Sequence, residues 1–129
     1  MNWLAIAIGS ALGGVARHWC GLAVASRWGT AMPWGTLLVN GIGSFLIGLI
    51  AAFTLFRNSQ TAQLARDFLM VGVMGGFTTF SAFSLQTLML MRDGRLAGAA
   101  LNVALSLVVC MLAVFLGFVL GAALRGASA

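Results

Sequence analysis

Four long apolar stretches, separated by short charged or polar segments, limit the folds open to this chain more than any other feature of the sequence. They run over residues 3–25, 34–56, 68–91 and 96–124. Each reaches the roughly 20 residues that a helix needs to cross a hydrocarbon core about 30 Å thick. A cleaved signal peptide is a poor alternative for the first stretch, because Arg17 interrupts it. The sequence therefore predicts an all-α integral membrane protein, with residues 1–129 as one domain of four transmembrane helices.

The composition excludes several classes of function. Of the 129 residues, 61% are hydrophobic and only 7% are charged, so an ordinary soluble domain is excluded. The net charge of +5 comes from arginines at helix ends and in loops, where they face lipid headgroups; no nucleic acid partner is expected. The chain has one histidine and two carboxylates, Asp67 and Asp93, both expected in loops. We therefore predict that it is not an enzyme.

The same scarcity of titratable groups bears on the class of transport. A small proton-coupled multidrug-type exporter needs a carboxylate within the membrane, and the four stretches contain none. Passive flow is the prediction, with such an exporter or a non-conducting membrane scaffold as the alternatives. Four spans place both termini on one side, and the arginines divide almost evenly between the two sides. A chain with so little charge bias can insert in both orientations.

The third stretch contains the most unusual pattern, two adjacent glycines followed by two threonines in mid-membrane. Such a sequence holds a straight helix poorly, so we predict a break within residues 75–79. A break frees backbone carbonyls, which are tolerated at that depth only where protein, water or an ion satisfies them. The alternative is that Gly72 and Gly76, four residues apart, form a close helix-packing interface.

Two phenylalanines follow the predicted break. Phe80 and Phe83 are three residues apart and share a helix face, while Ser81 and Ser84 share a neighbouring face. Ring edges carry the positive part of the aromatic quadrupole and hydroxyls can donate, so together they can replace water around a small anion. Spacing alone equally allows phenylalanines that face lipid or pack against other helices.

These residues carry a resemblance to a known family, the Fluc or CrcB fluoride channels. The sequence GGFTTFSAF at residues 75–83 resembles the family signature, and GTLLVN at 35–40 with Gly43 and Ser44 resembles its second-helix motif. Gly9, with GGVAR at residues 13–17, resembles the first-helix motif. The motifs occur in order over essentially the whole chain.

The resemblance implies a passive fluoride channel that lets fluoride leave the cell, in the bacterial cytoplasmic (inner) membrane as a multi-pass protein. It implies an antiparallel, dual-topology homodimer with two pores, surrounded by the lipid bilayer. A structural sodium ion (Na+) is expected at its centre, and the carbonyls that would hold it are those of Gly75 and Thr78.

The resemblance also implies roles for side chains. Phe80 and Phe83 would contact fluoride through their ring edges, Asn40 would donate its amide to the ion, and Arg17 would attract anions into an aqueous vestibule. The residues that would supply a polar track are Ser81, Asn102 and Ser106. Asn102 departs from the family pattern, which often has tyrosine there, and Ala82 stands where many members have threonine. An interhelical hydrogen bond is the alternative role for Asn40.

Overall fold

The computed structural model describes residues 2–127, which form helices joined by short connections. Three long helices are continuous: α1 (Trp3–Trp28), α2 (Trp34–Thr54) and α6 (Leu96–Ala127). The stretch between α2 and α6 is built of four pieces: α3 (Gln60–Ala65), a π-helical segment (Arg66–Met74), α4 (Gly75–Phe77) and α5 (Phe80–Arg92). We call these four pieces together the third segment.

Within the described part of the chain, three helical runs are long and apolar enough to cross a membrane: α2, α6 and the third segment. Helix α1 is 26 residues long, about 39 Å at 1.5 Å per residue, but it carries Arg17 and His18. Large apolar side chains are exposed on every long helix, as Leu4 is at 78%. Such a surface suits lipid rather than water. The prediction of an all-α, multi-pass membrane protein is confirmed.

Helix α1 packs against the third segment through small residues. Gly9 and Gly13 are buried on α1, and a Cβ atom added to Gly72 would lie 3.0 Å from the Cα of Gly9. A Cβ added to Gly76 would lie 2.9 Å from the Cα of Ser10. The two backbones approach so closely that no side chain fits between them. Gly72 and Gly76 therefore do form the close-packing interface that was the alternative to a break.

Helix α2 packs most extensively against α6, again through glycines. A Cβ added to Gly48 would overlap the backbone of Val114, and one added to Gly117 would overlap the backbone of Phe45. Val39 and Ala52, on α2, are 2% and 0% exposed. The chain therefore forms two tight helix pairs, α1 with the third segment and α2 with α6.

The prediction that Asp67 lies in a loop is wrong. The connection after α2 covers only residues 55–59, and α3 begins after Ser59, whose hydroxyl accepts a hydrogen bond from the Ala62 amide at 3.1 Å. Asp67 is 5% exposed and lies in the π-helical segment. Its carboxylate accepts from the Asn2 backbone amide at 3.2 Å and from Gln63 Nε2 at 3.0 Å. Side chains four residues apart on a helix can bond in this way, so the polar residues here support a helix rather than a loop.

Candidate functional site: a helix break beside two phenylalanines

The third segment breaks at Thr78 and Thr79, as predicted within residues 75–79. Both residues are extended, with φ −81° and ψ 158° at Thr78 and φ −153° and ψ 117° at Thr79. The Thr79 hydroxyl accepts from the Ala82 amide at 3.2 Å and so caps the start of α5. The break therefore falls after the two glycines rather than at them, because Gly76 is packed against α1.

Asn40, on α2, holds the broken backbone with two hydrogen bonds. Its Nδ2 donates to the Thr79 carbonyl at 3.0 Å, and its Oδ1 accepts from the Thr79 amide at 2.8 Å. Side chain and backbone thus satisfy each other at a residue that is 9% exposed. In a continuous α-helix the Thr79 amide would bond to the carbonyl of Gly75. Asn40 therefore forms the interhelical bond that was its alternative role, and one of its two amide hydrogens is used in doing so.

The two carbonyls expected to hold sodium lie at the two ends of α4: Gly75 is its first residue, and Thr78 follows its last. The carbonyl of Gly75 loses its helical amide partner to Asn40, and Gly75 itself is exposed. The Thr78 carbonyl accepts from Nη1 of Arg17 at 3.4 Å. Among residues 2–127 no cluster of histidine, cysteine or carboxylate side chains could hold a metal. Backbone oxygens are the donors that a small hard cation takes, so these two carbonyls fit such an ion chemically.

Phe80 and Phe83 are neighbours at the start of α5, as their spacing predicts. Their ring centroids are 5.4 Å apart and the rings are tilted by 45°. Phe80 is 79% exposed, so its ring projects away from its own chain. Ser81 is exposed as well, and its hydroxyl lies 3.2 Å from that of Thr79. Ring edges and hydroxyls thus occur side by side next to the break.

Asn102 and Ser106 lie on the buried side of α6, one helical turn apart, with exposures of 3% and 9%. Nδ2 of Asn102 donates to Oγ1 of Thr87 at 2.9 Å, and the Thr87 hydroxyl donates to the Phe83 carbonyl at 2.8 Å. Thr87 thereby connects Asn102 to the phenylalanine pair. We did not single out Thr87 from the sequence, although its place four residues after Phe83 puts it on the same face of α5.

Arg17 lies where two cavities meet the break. An outer cavity of about 480 Å³ extends to the connection between α1 and α2, and an inner cavity of about 270 Å³ reaches Thr79. Arg17 lines both, with its guanidinium directed to the Thr78 carbonyl. A positive charge that lines a cavity favours anions over cations within it. Arg17, the predicted vestibule residue, therefore lies close to the predicted break.

A groove on the other side of the break is open. It has a volume of about 300 Å³, and Asn40, Ser44, Thr78, Phe80 and Cys110 are among the residues that line it. Phe80, 79% exposed, is paired with the ring of Phe83 within the described chain. The structure thus brings Asn40, Thr78, Ser81 and the two phenylalanines together. Asn102 is connected to them through Thr87, and Ser106 lies one helical turn beyond Asn102 on α6.

Comparison with known proteins places the chain among characterised sequences. The family described as "CrcB-like protein, Camphor Resistance (CrcB)" matches residues 4–118. A protein of Methylocella silvestris named fluoride-specific ion channel FluC is 52% identical over 126 residues, which are 97% of this chain and 96% of the relative. A protein of the same name from Opitutus terrae is 50% identical, covering 91% of this chain and 89% of the relative. A third, from Paramagnetospirillum magneticum, is 45% identical over 92% of this chain and 94% of the relative.

Proposed function

Because the chain belongs to the CrcB family, we propose that it is a passive, fluoride-selective ion channel through which fluoride leaves a bacterial cell down its gradient. The structural observation that carries the proposal is the exposed Phe80–Phe83 pair beside a break held by Asn40. The relatives are named as ion channels, and the chain is accordingly not an enzyme.

In this proposal, ring edges and neutral hydrogen-bond donors line the pore, with no fixed positive charge among them. Fluoride is small and strongly hydrated, so a path must replace its water without trapping it. The ring edges of Phe80 and Phe83 offer positive potential, and the Ser81 hydroxyl can donate. Asn40 has a second amide hydrogen, which no bond to the described residues uses. Further along, Thr87 on α5 and two residues on the buried side of α6, Asn102 and Ser106, continue the polar track.

The open groove supports assembly from two copies. Phe80 projects into a groove that its own chain does not close, and an ion there would meet lipid unless a second copy covered it. The even division of arginines supports antiparallel insertion of the two copies. Two copies related by a two-fold axis have two equivalent sites, and hence two pores. The proposed location is the bacterial cytoplasmic (inner) membrane.

A sodium ion at the centre of the dimer is part of the same proposal. The carbonyls of Gly75 and Thr78 would hold it, because Gly75 has lost its helical partner and both oxygens adjoin the break. When bound, the ion would contact the Gly75 oxygen, which lacks its helical partner, and the Thr78 oxygen, which Arg17 also contacts. Its role is to hold the break in place rather than to take part in conduction.

The proposal is tested by fluoride efflux from liposomes that contain the purified protein, measured with a fluoride electrode. We expect fast passive efflux of fluoride, and no efflux of chloride when chloride is the only permeant anion and a chloride electrode is used. Phe80→Ile and Phe83→Ile should each slow efflux at least about tenfold, the factor for about 1.4 kcal/mol of lost ion–ring attraction. The matched control is Phe115→Ile, a change at a 63% exposed ring on α6 away from the break, which should leave efflux unchanged.

The outcomes separate the proposal from its alternatives. An exporter would move organic cations in exchange for protons and would tolerate loss of Phe80, whereas a scaffold would show no flux of either kind. Normal conduction by both phenylalanine variants would mean that the rings do not contact the ion.

A further inference from the structure

Three arginines meet at the C-terminal end of α2. Nη1 of Arg66, from the third segment, donates to the Thr54 carbonyl and, at 3.2 Å, to the carbonyl of Arg57. Nη1 of Arg125, near the end of α6, donates to the Ala52 carbonyl at 2.9 Å. The last carbonyls of a helix lack amide partners within it, so they attract such donors. Two guanidinium groups are thereby held in place next to a third arginine, and we call Arg57, Arg66 and Arg125 the arginine cluster.

No carboxylate within residues 2–127 is paired with the arginine cluster. The acidic side chain nearest to it in the chain is Asp67, whose oxygens accept from two amide donors instead. Arg66 and Arg125 donate to carbonyl and amide oxygens, which carry no net charge. The Arg57 side chain is exposed and makes no hydrogen bond to the described residues. Three positive side chains against one negative leave a formal balance of +2 at this end of the bundle.

The arginine cluster lies at the edge of the hydrocarbon. Helix α2 has 21 residues and is about 32 Å long, close to the roughly 30 Å thickness of a hydrocarbon core. Its last carbonyls, and the guanidinium groups that bond to them, therefore lie where lipid headgroups begin. Cζ of Arg125 is 5.3 Å from the ring centroid of Phe56, and this ring and the neighbouring Leu55 are exposed. A phosphate and apolar chains can thus be bound side by side here.

The chemistry of arginine favours phosphate as the ligand. A guanidinium has five N–H donors in one plane, which match two oxygens of a phosphate group. Arg66 uses Nη1 and Nη2 in bonds to the protein and Arg125 uses Nη1, so each retains other N–H groups. Because two of the three guanidinium groups are already held in place, binding orders fewer side chains and costs less entropy. A zwitterionic headgroup brings an ammonium that these charges repel, whereas an anionic headgroup does not.

We propose that the arginine cluster binds the phosphate of an anionic phospholipid, one molecule per chain. Each arginine near a membrane surface strengthens binding of anionic lipid about fivefold. The bound phosphate would join the third segment, α6 and the connection after α2 at one end of the bundle. The site is separate from the proposed fluoride path, because no arginine of the cluster lines the two cavities beside the break or the groove that contains Phe80.

Native mass spectrometry of the full chain tests the proposal, with phosphatidylglycerol or phosphatidylcholine added at equal concentrations to the purified protein in detergent. We expect one phosphatidylglycerol per chain, bound at least about fivefold more tightly than phosphatidylcholine. Arg57→Gln removes no hydrogen bond of the fold described above, and it should weaken phosphatidylglycerol binding about fivefold. Arg57→Lys keeps the charge but loses the planar fork, so it should weaken binding less.

The matched control is Arg27→Gln, which removes the charge of another exposed arginine. Arg27 lies in the last turn of α1, at the opposite end of the bundle from Asn2 and Asp67, and its loss should leave the affinity unchanged. Inorganic phosphate at the same concentration as the lipid should not displace it, because the apolar contacts would be missing.

Four results would overturn the proposal. They are equal wild-type affinities for the two lipids, a full preference retained by Arg57→Gln, an equal loss in Arg27→Gln, and displacement of the lipid by inorganic phosphate. The third would indicate a general attraction of anionic lipid to a basic protein, and the fourth a phosphate site that does not select lipid. No fluoride is present in this measurement, so its failure is distinct from a failure of the proposed function.

Discussion

Replacement of Asn40 by alanine tests whether a side chain from another helix holds the break. The change removes both hydrogen bonds to Thr79, and it leaves the Thr79 amide unsatisfied at a residue that is 9% exposed, while the Thr79 carbonyl keeps the first helical bond of α5. Each unsatisfied group costs about 1–3 kcal/mol, but interhelical bonds in membranes average nearer 0.6 kcal/mol, because neighbouring groups find other partners. For the unsatisfied Thr79 amide together with the lost bond to the Thr79 carbonyl we expect a loss of about 2 kcal/mol. That loss corresponds to roughly 30-fold faster opening of the local structure.

The assay is amide hydrogen exchange of the purified protein, followed for the peptide that contains Thr78 and Thr79. Asn40→Ala should speed exchange there roughly 30-fold, while peptides of α6 change little. Ser44→Ala is the matched control, because Ser44 lines the same groove on α2 and its side chain makes no hydrogen bond to any residue within 2–127. Asn40→Asp keeps an acceptor for the Thr79 amide, so its effect on exchange should be smaller, although its charge should impair fluoride flux. Unchanged exchange in Asn40→Ala would refute the argument that Asn40 stabilises the break.

Two further predictions concern the glycine interface and the sodium ion. Gly76→Ala should lower the free energy of unfolding by about 1–3 kcal/mol, because its methyl would overlap the Ser10 backbone. Gly14→Ala, on α1 with nothing within 4 Å of the new methyl, should not; equal stabilities in thermal unfolding would contradict the packing described. Exchange of sodium for a large organic cation during purification should reduce both the dimer fraction in detergent and the flux, since the Gly75 and Thr78 carbonyls would lose their ion. An unchanged dimer and flux would exclude a structural role for sodium.

Patterns that act within one helix were predictable from the sequence. Apolar length predicts the helical runs, and a spacing of three residues places the rings of Phe80 and Phe83 next to each other. The weakness of the helix near residues 75–79 was also visible, because glycine and threonine hold a helix poorly. The position of the break was less predictable. Local propensity favours the glycines, but Gly76 is held against α1 and the backbone departs from the helix at Thr78.

Contacts between distant parts of the chain were not predictable in the same way. Asn40 and Thr79 are 39 residues apart, and only the packing of α2 beside the third segment shows that they bond. Thr87 matters because it accepts a hydrogen bond from Asn102, which is 15 residues away on another helix. The amino-acid composition of the π-helical segment does not distinguish it from an ordinary α-helix. A single sequence supplies periodicity along one helix, whereas these features depend on how helices are placed against one another.

The burial of Asp67 changes the reasoning against a proton-coupled exporter. The third segment does contain a carboxylate, so the lack of one can no longer be used to distinguish a passive channel from a proton-coupled exporter. The position of Asp67 distinguishes them instead. Asp67 bonds to the Asn2 amide at the beginning of α1, eleven residues and about 15 Å along the segment from Thr78. It lines neither of the cavities that adjoin the break, nor the groove that contains Phe80. A proton on Asp67 would therefore lie outside the path that an ion takes past Arg17 and the rings. Its bonds to Asn2 and Gln63 tie the start of α1 to the third segment, which is a structural role.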